Sequence, residues 1–270
     1  MKARNALILL LFFLIGCKEE ITTKEYFYPN GKIFYTDYLD KEKHLIKRER
    51  HSLNGNIVAY INYKSDAFNN AKFYHEKKLI GEYSKLKDGN VAAKFYDNNT
   101  IIHGIGKIDS LAREIGWWRF YVEKKLIQKR YSLIINYNSE STQVITYKNG
   151  KIDSLNSQFA NISFKRENNS NYYKGRLTYN RTLNAKSYVS ILLSTKINDN
   201  FSNLESANFD TIVFKNKSIM EFPVAFEKSG KKKLKGFIVE QYSNDGIGSK
   251  QKKVEMVEKR TPFQVELLVD

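Results

Sequence analysis

Cysteine is nearly missing from this sequence: Cys17 is the only one among 270 residues. A disulfide framework and a cysteine-ligated zinc site are excluded, and so is a cysteine nucleophile past the N-terminal region. Proline occurs three times and tryptophan twice. The four histidines, His44, His51, His75 and His103, have neither HxH nor HxxxH spacing, so no metal ligands are assigned. GxSxG, P-loop and dinucleotide-glycine motifs are also missing. Carboxylates are scattered, and no acid–base pair stands out. The reading is a chain that is not an enzyme and needs no cofactor. A hydrolase with carboxylates gathered only by the fold is the remaining enzymatic alternative. Stability must come from a packed core, which a chain of this length can build.

Long apolar runs are equally scarce. The one present is Leu7 to Ile15, nine residues behind a basic start at Lys2 and Arg4. A helix needs about twenty residues to cross roughly 30 Å of hydrocarbon, so this run has the size of a signal-peptide core. Its ending, Leu14-Ile15-Gly16-Cys17, resembles the bacterial lipobox. The resemblance implies that residues 1–16 are a lipoprotein signal peptide and that Cys17 carries the lipid, diacylglycerol plus a palmitate-type chain. Each buried methylene adds about 0.8 kcal/mol, so two or three chains make the attachment to a membrane effectively permanent. Residues 17–25 then form a tether. Lys18-Glu19-Glu20 resembles the signal that sends some lipoproteins to the cell surface. The expected location is the outer membrane of a Gram-negative bacterium, facing the periplasm or displayed outside.

Acidic residues are in the minority, 29 against 45 lysines and arginines, for a net charge of +16. Such a balance can serve nucleic acid, anionic lipid or acidic glycan. Export argues against nucleic acid, and the lysines are spread along the chain in a Lys-, Asn-, Ile- and Tyr-rich composition. The one dense basic cluster, Lys228 to Lys235, reads as a hairpin tip.

What the chain does have is repetition. Six segments align: Tyr28-PNGKI, Ser52-LNGNI, Tyr74-HEKKL, Tyr96-DNNTI, Tyr121-VEKKL and Tyr147-KNGKI. Each places a polar turn between an aromatic-rich run and an isoleucine or leucine. Asn30-Gly31, Asn54-Gly55 and Asn149-Gly150 are hairpin-turn dipeptides, tolerant of positive φ. Aromatic and β-branched flanks favour strands. A lone hairpin is marginal in water, whereas several side by side can bury a shared stripe. The segment Gly106-Lys-Ile-Asp109, Gly116-Trp-Trp-Arg-Phe-Tyr121, Lys125-Leu126 resembles the MORN repeat, and more closely its bacterial variant. The resemblance covers residues 26–153. It departs from the family where turns 74–79, 96–101 and 121–126 lack glycine. It implies an elongated antiparallel meander of hairpins over residues 26–164.

Residues 165–171, Lys-Arg-Glu-Asn-Asn-Ser-Asn, are polar and read as a linker. Beyond them, strand-like runs fall at 174–179, 187–195, 210–215, 218–226, 234–242, 252–258 and 262–269. Met220, Phe222, Val224 and Phe226 share one face of their run. Phe263, Val265, Leu267 and Val269 share one face of another. Pro223 suggests an edge strand. The expectation for residues 172–270 is an immunoglobulin-like β-sandwich, completing an all-β chain in which Ser110 to Glu114 supply at most one helical turn.

Adjacent strand residues point to opposite faces, so one of Trp117 and Trp118 belongs to the core; the other is either covered as well, by the sheet's other side or the neighbouring domain, which is the favoured reading, or free to contact a ligand, with Tyr121 beside it. The leading functional expectation is a non-catalytic binding or scaffold module for an envelope protein. A glycan-binding lipoprotein using exposed aromatics is the alternative. Asp109-Ser110-Leu111, Asp153-Ser154-Leu155 and Asp210-Thr211-Ile212 resemble an extracytoplasmic O-glycosylation sequon, which marks Ser110, Ser154 and Thr211 as candidate modification sites.

Overall fold

The structure, a computed structural model, describes residues 20–167, 172–183, 187–194, 196–203, 207–214, 219–226, 228–245 and 254–269. Cys17 and the apolar run before it lie outside the described residues. Among the described residues no helix is long and apolar enough to cross a membrane. By its contacts the chain divides into two units, Met1–Lys87 with Lys94–Thr100, and Asp88–Ala93 with Ile101–Asp270. The described regular structure is all strand, apart from a short 3-10 turn at Ser154–Asn156.

Each of the six repeated segments is the turn of one hairpin. The first three hairpins are β1 (Thr22–Phe27) with β2 (Ile33–Leu39), β3 (Leu45–His51) with β4 (Ile57–Lys64), and β5 (Ala67–His75) with β6 (Lys78–Lys85). The next three are β7 (Val91–Tyr96) with β8 (Ile102–Ile108), β9 (Glu114–Val122) with β10 (Lys125–Ile135), and β11 (Asn138–Lys148) with β12 (Lys151–Ile152). The twelve strands pair in chain order into one antiparallel sheet. The meander expected from the repeats is therefore present.

The turns explain how glycine can be missing. Glu76-Lys77 and Glu123-Lys124 hold two consecutive positive φ values, 47° and 65° in both pairs. So do Ser65-Asp66 and Asn136-Tyr137. Two positive φ values in a two-residue loop match the right-handed twist of the flanking strands. Strand pairing imposes this geometry on residues that would otherwise avoid it.

The contact of Trp118 with Gly106, at the register shift between β8 and β9, shows why that copy needs its glycine. A Cβ on Gly106 would collide with the Trp118 ring, so the ring lies flat on the bare backbone of β8. Trp118 is fully buried and donates Nε1–H to the Lys107 carbonyl at 3.1 Å. An aromatic laid over a strand glycine restores the packing that the missing side chain forfeits.

The remaining strands form two smaller sheets. One joins β13 (Ala160–Arg166), β14 (Tyr172–Tyr179) and β17 (Ile219–Ala225), in that order. The other has the order β16 (Asp210–Phe214), β15 (Tyr188–Ser194), β18 (Gly230–Asp245), β19 (Val254–Val269). One buried cluster draws on both: Leu177, Met220 and Phe222 from the first, Ile191, Ile238 and Phe263 from the second. The alternations read in the sequence put Met220, Phe222 and Phe226 inside, and Phe263 and Val269 likewise.

Four expectations change. The sequence pattern puts residues 160–164 at the end of the repeats and 165–171 in a linker. Instead, Lys165 and Arg166 close β13 and pair with Lys174 and Tyr173, because polar residues suit an edge strand as well as a linker; residues 168–171 lie outside the described residues. The described part of the first run, 254–258, and the run 262–269 lie in one strand, β19, with Pro262 paired to Phe237, while residues 252 and 253 lie outside the described residues. The basic cluster at 228–235 is not a hairpin tip. Its lysines from 231 onward lie inside β18, and Lys235 is buried, its Nζ donating to the carbonyls of Ile197 and Asn198 and to Asp199 Oδ1 at 3.1, 2.8 and 2.7 Å. Ser110 to Glu114 make a tight turn, with Ala112 at φ 60°, and no helix.

Candidate functional site

Trp117 and Trp118 occupy successive positions of β9 and face opposite ways. Trp118 is core, while Trp117 is 43% exposed. The Trp117 ring packs 5.1 Å from that of Tyr131, its partner across the β9–β10 ladder. Tyr131 is a fixed base for it. Burial, with Glu266 adding to it, pushes the Tyr131 phenol up to about 12, so it stays a donor. That hydroxyl reaches the Gln264 carbonyl at 3.4 Å. Tyr121, four residues along the same strand face, is half-buried.

Two neighbouring turns extend this region. Arg113 donates from Nη1 to the Tyr137 carbonyl at 2.5 Å, which ties the β8–β9 turn to the β10–β11 turn. Ser139 Oγ donates to the Glu114 carbonyl at 2.7 Å and adds a second tie. Leu111 and Tyr137, one on each turn, are 70% and 73% exposed. Sequence reasoning named Trp117 and Trp118 but missed Leu111 and Tyr137 as apolar surface. A leucine behind an Asp-Ser turn is the available signal for Leu111. Nothing local marks Tyr137, whose pairing with the neighbouring turn depends on sheet register.

The two Asp-Ser-Leu segments are capped alike by their aspartates. Asp109 Oδ1 accepts from the Leu111 and Arg113 amides, and Asp153 Oδ1 from the Leu155 and Asn156 amides. Burial favours the neutral form of Asp109, but hydrogen bonds from Arg113 and the backbone outweigh it and hold the carboxyl below its ordinary value. Asp153 is likewise lowered, first by the Asn156 side chain. Both turns leave their serines, Ser110 and Ser154, exposed. Thr211 is exposed too, but within β16 and paired with Leu192, so the third sequon lies in a strand and not a turn.

Among the described residues, Asp40, Glu42 and His44 form a further cluster of titratable groups, with ligand-type atoms within 4.8 Å of one another. Asp40 Oδ1 already accepts from the Glu42 and His44 amides, and His44 Nδ1 lies 3.5 Å from Asp40 Oδ2, so the cluster is built as a turn. The other histidines are not brought to it.

Compared with known proteins, the chain matches no family model and none of the curated sequences.

Proposed function

We propose that this chain is an exported lipoprotein, tethered to the outer membrane through Cys17, whose folded part is a non-catalytic module that docks an envelope protein. The observation that carries the docking reading is Trp117, an exposed indole held rigidly on Tyr131. A ring already fixed in place loses little side-chain freedom on binding, and aromatics of this kind dominate the energetics of protein interfaces. Leu111 and Tyr137 on the tied turns extend the apolar surface. In this reading the six hairpins are MORN-like repeats.

The two smaller sheets are further read as an immunoglobulin-like sandwich. Strands β13, β14 and β17 take the order of A, B and E, and β15, β18 and β19 that of C, F and G. Strand β16 sits beside the C-type strand instead of the E-type strand. Ser110 and Ser154, exposed on Asp-locked turns, are the accessible candidates for O-glycosylation.

The test is a photo-crosslinking amino acid at position 119, exposed two residues along β9 from Trp117, in the full chain in living cells. The expected result is one discrete adduct, lost when Tyr137→Ala and Leu111→Ser are added, with the Cys17→Ser chain absent from the membrane fraction. A glycan array positive for the wild type and blank for Trp117→Ala, with no protein adduct, would replace the docking reading with the glycan one. That alternative rests on Tyr121 sharing the Trp117 face. Membrane retention of uncleaved Cys17→Ser chain overturns the lipid tether.

A further inference from the structure

Between the two smaller sheets, at the end where β16 and β17 are both edge strands, lies an open groove of about 960 Å³. Its floor is apolar: Leu193, Phe226 and Leu234 are buried, and Ile212 and Val224 are half-buried. Its rim is basic: Lys196 and Lys228 are exposed, Lys232 is half-buried, and among the described residues Asp210 is the one acid lining it. Among the described residues none of these three ammonium groups forms an ion pair, while nearby Lys233 and Lys235 both reach Asp199. The size falls in the range of about 300–1,000 Å³ typical of small-molecule sites.

Two kinds of occupant fit an open sandwich edge: an added strand or a small amphiphile. Pro223 argues against the strand. It sits within β17, opposite Lys174, and the β14–β17 ladder runs past it without a register shift. Proline is tolerated in a ladder where its nitrogen faces outward. The free edge of β17 therefore lacks a donor near its middle, which is a device that blunts strand addition. Among the described residues the other free edge, β16, is five residues long. A ligand here gains little from backbone pairing and much from an apolar tail on the floor and an anionic head among the lysines.

We propose that this groove binds a single-chain anionic amphiphile of the fatty-carboxylate class, taken up as the free molecule. The site is separate from the Trp117 surface, and the two readings fail independently. The probe is cis-parinaric acid, a fluorescent fatty carboxylate, titrated into the purified full chain below its micellar concentration. The expected result is saturable one-to-one binding, displaced by palmitate and much weaker for the methyl ester. Lys228→Glu with Lys232→Glu should weaken it by about tenfold or more, since a charge-assisted contact becomes a repulsion. Ala225→Trp, at an exposed position on the groove wall, should block it. Thermal melts of both variants check the fold, and the charge variant alone suffices if the tryptophan variant does not fold. The proposal is overturned if binding is not saturable, or if it is unchanged in the charge variant. It is also overturned if the chain sediments with anionic phospholipid vesicles but ignores the monomeric acid, or if an acidic peptide occupies the groove in preference to it.

Discussion

Glu240 has no exposed surface, yet its carboxylate is densely satisfied. Ser187 Oγ donates to it at 2.6 Å, the Leu183 amide at 3.0 Å, the Thr182 amide at 3.0 and 3.2 Å, and the Tyr179 hydroxyl at 3.2 Å. The residue fastens the β14–β15 connection to β18. Burial pushes the carboxyl up, but the hydrogen bonds from Ser187, Thr182 and Leu183 outweigh it and leave the group below its ordinary 4.5. A lowered carboxyl stabilises the fold fully above its unfolded-state value, and that stabilisation is lost as pH falls through the folded value. Unfolding free energy should accordingly decline in solutions more acid than the ordinary carboxyl value. Glu240→Gln should flatten part of that decline and cost about 1–3 kcal/mol at neutral pH, because a neutral amide leaves buried donors short of acceptors. Urea titrations at several pH values measure both effects. An acid limb identical in wild type and variant would assign the decline to other carboxylates. Sequence alone could not single out Glu240 among 29 acids, since nothing local says which one folds inward.

At the scale of the element, the repeat works through matched small and large residues on neighbouring strands. In the Met1–Lys87 unit, Gly81 lies between Phe73 and Phe95, whose ring atoms stand 3.8 and 3.6 Å from where its Cβ would be. Phe73 and Tyr83 pack with ring centroids 4.8 Å apart. In the other unit the match is tightest at Gly106 under Trp118. Gly106→Ala should therefore destabilise the chain by about 1–3 kcal/mol through overpacking, with a shift in Trp118 fluorescence as the ring is lifted. A denaturation midpoint equal to wild type would mean that the ring is not seated on the backbone. The hairpins themselves were legible from turn residues and spacing. The seat was not, because Gly106 and Trp118 belong to different strands and meet only through register.

At the scale of the molecule, the late meander strands and the two smaller sheets are built into one unit. Leu133 of β10 is buried with Ile197 and Phe201 from the β15–β16 connection, and Tyr131 and Phe209 pack around them. Gln158 Nε2 donates to Thr261 Oγ1 at 2.8 Å, and the Asn136 amide to the Asn200 carbonyl at 3.0 Å. The sequence suggested a linker between two domains, because the repeat stops and polar residues follow. The contacts that bridge the break come from residues 60 or more positions apart, which no local pattern reveals. Leu133→Ala should cost about 2–5 kcal/mol as a core truncation. It should speed hydrogen exchange in β10 and β15 together. Faster exchange confined to one of them would mean that these elements open separately.

By itself the sequence determined the local events. Six turn segments specify six hairpins, and two-residue alternation specifies which strand faces turn inward. An aspartate two residues before a leucine amide specifies the same side-chain cap at Asp109 and Asp153. These depend on backbone preferences and neighbouring side chains, which are present in any short stretch of chain. The tertiary structure decided the rest. The hexapeptide Gly-Lys-Ile-Asp-Ser-Leu occurs twice, yet Gly106 lies flat in β8 beneath Trp118 while Gly150 takes a positive φ of 74° in a hairpin turn. The same letters serve packing in one place and chain reversal in the other, because a glycine's role is set by what the fold brings over it.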